Sequence, residues 1–172
     1  MITTRKRLFY LTRVCAFVPL LIGAMPLAAQ SGCSMVLEAM TKVSKTPAHL
    51  YVSMNMNGKP QEGESIYTGA AIYVKVNGKW TVSPITPAEM TQQLQKTIQA
   101  SKSTCAFLKD EMVSGEMTAL FKVHTETPRG TSDTETWISK ANGLPLRSVT
   151  EMNGGKIHTS TRYEYRDIKS PM

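Results

Sequence analysis

Residues 134–147 constrain the fold of this chain more than any other stretch. Their first half is rich in β-branched and aromatic residues, which favour extended strands. Asn142-Gly143 then offers the two positive-φ positions of a tight turn, and Pro145 stands where the beginning of a strand tolerates a proline. The stretch therefore predicts a β-hairpin.

Alternating patterns predict further strands on both sides of this hairpin. Apolar residues recur at every second position over residues 50–56 and again over residues 66–76, which we expect to be the longest strand. Residues 57–63 between them are polar and predict a loop. Asn77-Gly78 predicts a second tight hairpin, and Ser114-Gly115 and Asn153-Gly154-Gly155 mark later turns.

Two helices are predicted, one before the first strand and one in the middle of the chain. The first runs over residues 34–45, with Ser34 as N-cap. The second begins at Thr86, which forms a capping box with Glu89, and continues to about Lys102. Because its apolar residues form only a narrow stripe, we expect this helix to lie on a surface.

The order of these elements predicts an α+β fold in which a curved antiparallel sheet carries the helices on one face. Five strands follow the second helix, joined by short turns. No repeat of 20 to 50 residues is present, and a mature chain of about 140 residues is typical of a single domain.

The N-terminus predicts export. A basic segment, an apolar run and a small-residue site make residues 1–29 a signal peptide, with cleavage after Ala29 or Ser31, and residues 30–172 the single mature domain. Four of the 20 basic residues leave with the signal. The 16 that remain, together with 13 acidic residues, give the mature chain a net charge of +3. This small excess without a basic cluster argues against nucleic acid as a partner.

The cysteines agree with export to an oxidising compartment. Cys15 lies in the signal, which leaves Cys33 and Cys105 as an expected disulfide, with a free reactive pair as the alternative. Lipidation of Cys33 is the other alternative, but Gln30 stands where a lipidation motif requires an aliphatic residue. A polar residue at that position disfavours a lipoprotein.

The late hairpin also carries a resemblance. Its pattern Trp-Ile-Ser-x-x-x-Gly-Leu-Pro-Leu-Arg, over residues 137–147, resembles that of the periplasmic lipoprotein-carrier (LolA-like) superfamily. The resemblance implies an incomplete β-barrel whose concave face is closed by helices around an apolar cavity. Carriers in that superfamily bear Lys-Arg-Pro and Phe-Arg-Trp after the long strand, whereas residues 74–80 here keep the tryptophan and contain no arginine. The fold and a general apolar-ligand role are therefore carried over, and the particular cargo is not.

The alternation and the resemblance together predict which side chains line the cavity. They are Leu50, Val52, Met54, Met56, Ile72, Val74, Trp80, Met90, Leu94, Ile98, Met117, Phe121 and Trp137. Several are methionines, whose flexible thioethers adapt to varied apolar shapes.

No motif predicts catalysis. The sequence contains no G-x-S-x-G, and His49, His124 and His158 lack metal-ligand spacing. We therefore expect a monomeric, non-enzymatic periplasmic protein without a cofactor, which binds a lipid, an acyl chain or a lipoprotein. The alternative is a protein-interaction or envelope-stress sensing module on the same fold, with an envelope protein as partner. A third hypothesis is a Cu(I) carrier, because Met54 and Met56 share a strand face and thioethers select Cu(I).

Overall fold

The computed structural model describes residues 27–172, and side chains are described from Cys33 onward. Most of the predicted signal peptide lies outside the described residues. The described part contains two helices and nine strands: α1 (Leu27–Val43), β1 (Ala48–Met56), β2 (Lys59–Tyr67), β3 (Ile72–Val76), β4 (Lys79–Val82), α2 (Pro87–Ala100), β5 (Lys102–Val113), β6 (Glu116–Thr127), β7 (Gly130–Ser139), β8 (Pro145–Met152) and β9 (Ile157–Glu164).

All nine strands form one antiparallel sheet in the order β4-β3-β2-β1-β9-β8-β7-β6-β5. Strands that follow one another in the chain are paired in the sheet, except for β4 and β5, and the last strand, β9, pairs with the first. The sheet does not close into a barrel, so β4 and β5 form its two edges, and α2 is the connection from one edge to the other. The predicted α+β class and antiparallel sheet are confirmed.

The tight turns follow from residues that tolerate positive φ. Asn77 and Gly78 have φ of +51° and +77° and join β3 to β4, as predicted. Ser114 and Gly115 do the same between β5 and β6, with φ of +52° and +82°. A left-handed backbone at both central positions matches the twist of the flanking strands.

Two predicted segments differ from the structure because each contains an additional turn. Asn57 and Gly58 have φ of +52° and +81° and form a tight turn, so most of the predicted loop over residues 57–63 is the start of β2. The predicted long strand over residues 66–76 is two strands, because Thr68 donates a backbone hydrogen bond to Ala71 at 3.1 Å and turns the chain.

Two further details of the prediction are wrong. The first helix begins at Leu27, so Ser34 lies inside α1 and is not its N-cap. The hairpin between β7 and β8 has a wider loop, in which Gly143 alone has positive φ (+70°) and the Ser139 amide pairs with the Leu144 carbonyl at 2.9 Å. Asn142 contributes differently, since its side-chain oxygen accepts from the Leu144 amide at 2.8 Å.

The second helix begins as predicted. Thr86 Oγ1 accepts from the Glu89 amide at 3.2 Å, while the Glu89 carboxylate accepts from the Thr86 amide at 2.8 Å. This pair satisfies two amides that a helix start otherwise leaves unbonded.

The core lies between α1 and one face of the sheet, which we call the helix face. Ala39 packs there against Phe121 and Ile138, and Val43 packs against Leu50 and Tyr163. In α2 only Pro87 is buried. The sheet is thus well covered by α1 and only loosely covered by α2.

Candidate ligand-binding site

A groove of about 560 Å³ lies on the helix face between the two helices and β5–β8. We call it the helix groove. Its lining comprises Cys33, Ser34, Val36, Leu37, Met40, Leu94, Thr97, Ile98, Ser101, Ser103, Cys105, Val123, Thr125, Thr134, Thr136, Ser148 and Thr150. None of these is a charged side chain.

The walls of the groove are aliphatic side chains from the two helices. Val36, Leu37 and Met40 come from α1, and Leu94 and Ile98 come from α2. Positions three and four apart lie on one side of a helix, so each helix presents a short apolar stripe to the groove. The stripe of α2 is half-buried, and Leu37 keeps 37% of its surface exposed. These walls leave apolar surface available to a ligand.

The floor of the groove consists mainly of serine and threonine from the sheet. Cross-strand register places Thr134 opposite Thr150, and their hydroxyls are 3.0 Å apart. The hydroxyls of Ser103 and Thr125 are 3.1 Å apart in the same way. Because these hydroxyls bond one another, an apolar ligand can cover them without leaving them unpaired.

A disulfide closes one side of the groove. Cys33 in α1 is bonded to Cys105 in β5, with 5.1 Å between the Cα atoms. The predicted pairing is therefore confirmed. The bond fixes the position of α1 relative to the edge of the sheet, and so fixes the width of the groove.

Of the thirteen predicted cavity residues, Leu94 and Ile98 line the helix groove. Leu50, Ile72 and Phe121 are buried. Met90, Val52, Met54 and Val74 are half-buried and do not line the groove, while Met56 and Met117 are 39% and 46% exposed.

The pairing register places Trp80 and Trp137 on the face of the sheet opposite the helix groove. Trp80 is paired with Lys75, whose ammonium lies 5.6 Å from the ring centroid. Trp137 is paired with Arg147, whose guanidinium lies 4.9 Å from the ring, and its indole N–H donates to Glu111. Side chains of consecutive residues in a strand point to opposite faces of the sheet. The sheet itself therefore separates each tryptophan from the groove.

Apolar alternation in the sequence did not indicate the floor residues, because most of them are serine and threonine. A signal was present, since Thr134 and Thr136, and Ser148 and Thr150, recur at the two-residue period of a strand face. Thr159, which register places beside Thr150, has a side-chain oxygen that is buried and has no hydrogen-bond partner among the described residues.

The opposite face carries a cluster of charged and aromatic groups. Glu64 accepts a 2.7 Å hydrogen bond from Lys75 and lies 3.2 Å from His49 Nε2. The Lys75 hydrogen bond, followed by the one from His49, lowers the pKa of the Glu64 carboxyl. His49 also stacks on Tyr51, with 4.1 Å between ring centroids. These groups satisfy one another and face away from the groove.

The described residues contain neither a cluster of metal-ligating side chains nor a helix suited to crossing a membrane. No group of three or more His, Cys, Asp and Glu side chains there is arranged to hold a metal ion. None of the described helices has both the length and the apolar character needed to cross a membrane. The Cu(I) hypothesis relies instead on thioether ligands. The two methionines that it names, Met54 and Met56, lie on one face of β1.

The described residues define an α+β protein whose open antiparallel sheet carries an apolar groove beneath two helices. No protein-family model matches the sequence, and no curated protein matches it. Solved structures with a similar fold include LprF from Mycobacterium bovis, with 10% identity, a TM-score of 0.48, and coverage of 84% of this chain and 98% of LprF.

MucB is similar over 83% of this chain and 60% of its own length, with 13% identity and a TM-score of 0.47. The chain thus spans about three fifths of MucB, whose structure is also known in a complex with MucA from Pseudomonas aeruginosa. A domain from Vibrio parahaemolyticus named for outer membrane lipoprotein sorting matches with 8% identity and a TM-score of 0.31 over 83% of this chain and 95% of that domain.

Proposed function

We propose that this protein is an exported, non-enzymatic binding protein that holds an acyl chain of a lipid or lipoprotein in the helix groove. The observation that carries the proposal is the groove itself. Its volume of about 560 Å³ lies within the range of small-molecule sites, which is roughly 300–1,000 Å³. Its walls are aliphatic and most of its floor hydroxyls are paired, so it favours an apolar ligand over a polar one.

Export is part of the proposal and is supported by the disulfide. Disulfides persist in oxidising compartments such as the periplasm. The bond to Cys105 also occupies the Cys33 sulfur, which a thioether-linked lipid anchor would need. We therefore propose cleavage after Ala29 or Ser31 without lipidation, which the intact mass of the exported protein would test. A mass increased by acyl chains would contradict it.

The main test is whether the purified protein carries a lipid that depends on the groove. Protein purified without detergent is extracted with organic solvent, and lipids are quantified by mass spectrometry. In the variant Leu94→Asp with Ile98→Asp, two carboxylates face the groove, and we expect at least a tenfold loss of bound lipid. The variant should remain folded, because α2 contributes little to the core.

A matched control places the same charges on the outer side of the same helix. Gln92 and Gln99 are exposed, so Gln92→Asp with Gln99→Asp changes the charge of α2 without reaching the groove. We expect it to retain wild-type lipid. Equal lipid content in both variants, or none in the wild type, would contradict the proposal.

A second candidate function rests on the long edge strand β5. Phe107, Leu108 and Met112 in this strand are 55%, 46% and 58% exposed. An edge strand has unpaired backbone groups to which an extended segment can add as a further strand. The partner would be an extended segment of an envelope protein with apolar side chains.

The two functions are separated by variants at different places. Phe107→Lys with Met112→Lys should abolish stoichiometric capture of such a partner, while the Leu94 and Ile98 variant should still capture it. Capture that is unaffected by the β5 substitutions would argue against the edge strand, and lipid that survives them would leave the groove proposal intact.

A further inference from the structure

A second, smaller cavity adjoins the helix groove. It measures about 370 Å³ and lies between the end of α2 and the turn that joins β6 to β7. Its lining consists of Lys96, Thr97, Ala100, Thr127, Pro128 and Arg129. Thr97 lines both cavities, so the two are neighbours along α2.

This second cavity has a different charge from the groove. It contains two cationic side chains, Lys96 and Arg129, and no carboxylate among the described residues that line it. Within residues 33–172 neither cation has a carboxylate within 4.0 Å. The positive charge at this end of the groove is thus not neutralised by a carboxylate of the described residues.

The nearest acidic residue in the sequence does not compensate it. Glu126 lies between Thr125 and Thr127, and each of these threonines lines one of the two cavities. Since side chains alternate across a strand, Glu126 projects to the other face of the sheet, where it lies 3.7 Å from His124.

Together the two cavities match a molecule with an apolar tail and an anionic head. An uncharged aliphatic groove excludes charged groups, while lysine and arginine make charge-assisted hydrogen bonds to carboxylate or phosphate. The size of the groove is that of a site for one drug-sized molecule, and a single acyl chain fits this size better than the several chains of a lipoprotein anchor.

We propose that the ligand is a single-chain amphiphile with an anionic headgroup, whose tail occupies the helix groove and whose head contacts Lys96 and Arg129. This inference rests on the proposed function and narrows it to one ligand class. The shared chemistry is an anionic oxygen group on one acyl chain, which a fatty acid and a lysophospholipid with a phosphate head both supply.

The test compares probes that differ only in the head or in the number of chains. Palmitate, palmitoyl lysophosphatidate, hexadecanol and dipalmitoyl phosphatidate are titrated by calorimetry. We expect the two single-chain anions to bind about tenfold more tightly than hexadecanol, and lysophosphatidate to bind at least tenfold more tightly than the two-chain phosphatidate. The preference for anions should decrease as salt is raised, because the cations are exposed.

Substitutions at Lys96 and Arg129 test whether these two residues bind the headgroup. Lys96→Gln with Arg129→Gln should reduce palmitate binding to the level of hexadecanol and leave hexadecanol binding unchanged. The control Lys59→Gln with Lys79→Gln removes the same charge from exposed positions in other hairpins, and should leave both affinities unchanged.

The outcomes separate this inference from the proposed function. If hexadecanol binds as tightly as palmitate, or the Lys96 and Arg129 variant binds palmitate normally, the headgroup site is refuted while the groove stands. Equal binding of one-chain and two-chain phosphatidates refutes the single-chain assignment. If none of the probes binds, both proposals fail.

Discussion

Removal of the Cys33–Cys105 disulfide should destabilise the protein by about 4 kcal/mol. The bond joins residues separated by 72 positions, and the chain-entropy model gives about 4 kcal/mol for a loop of that length. For a chain of this size the loss corresponds to a fall in Tm of about 10 °C. Urea unfolding of the wild type and of Cys33→Ser with Cys105→Ser would measure the difference, and a larger m-value in the variant would show that its unfolded chain is less compact.

The same bond should also affect ligand binding, because it fixes α1 at the side of the groove.

A reductant provides the control for the stability measurement. Adding it to the wild type should reproduce the stability of the double variant, and should not change the stability of the double variant itself. A reductant effect on the double variant would show that the chain retains Cys15, and would therefore contradict the proposed cleavage after Ala29 or Ser31. A loss of less than about 1 kcal/mol would refute the loop-entropy argument for this protein.

Three further predictions concern single side chains. Phe121→Ala should cost about 3–5 kcal/mol, whereas Phe107→Ala, in the same ring pair but 55% exposed, should cost about 1 kcal/mol in urea unfolding. Thr86→Ala should cost about 1 kcal/mol and appear as faster amide exchange in α2. Glu64→Gln should cost about 0.5 kcal/mol at pH 7 in thermal unfolding, and this cost should diminish in acid. The lowered pKa of the Glu64 carboxyl gives stability that is present above the unfolded value of about 4.3 and is lost as pH falls through the folded pKa.

The elements that local chemistry determines were predictable from the sequence. The Asn77-Gly78 turn and the capping box of Thr86 each need only a few adjacent residues, and both are present. The Asn57-Gly58 turn carries the same signal as Asn77-Gly78, but it lies among polar residues, which favour a loop over a strand. Turn residues were thus more informative than polarity in this part of the chain.

The composition of the candidate site was harder to predict, because it depends on register and on packing between distant elements. Trp80 and Val74 were assigned to one cavity, but Trp80 pairs with Lys75 while Val74 pairs with Thr81. A difference of one position in pairing moves a side chain to the other face of the sheet. The sequence alone does not fix this register, and so it does not say which face lies under the helices.

The threonine floor leads to a final prediction, which separates a structural role of its hydroxyls from a role in ligand binding. Thr134 and Thr150 bond each other at 3.0 Å across β7 and β8. Replacing one of them by valine leaves the other hydroxyl without its partner, which costs about 1–3 kcal/mol for a fully buried group and less for these half-buried ones. Replacing both should recover most of that loss, because valine has the shape of threonine.

If the groove binds an acyl chain, the double variant should bind palmitate at least as tightly as the wild type. Weaker binding by the double variant at undiminished stability would show that these hydroxyls contact a polar part of the ligand, and would overturn the assignment of this part of the groove to the tail.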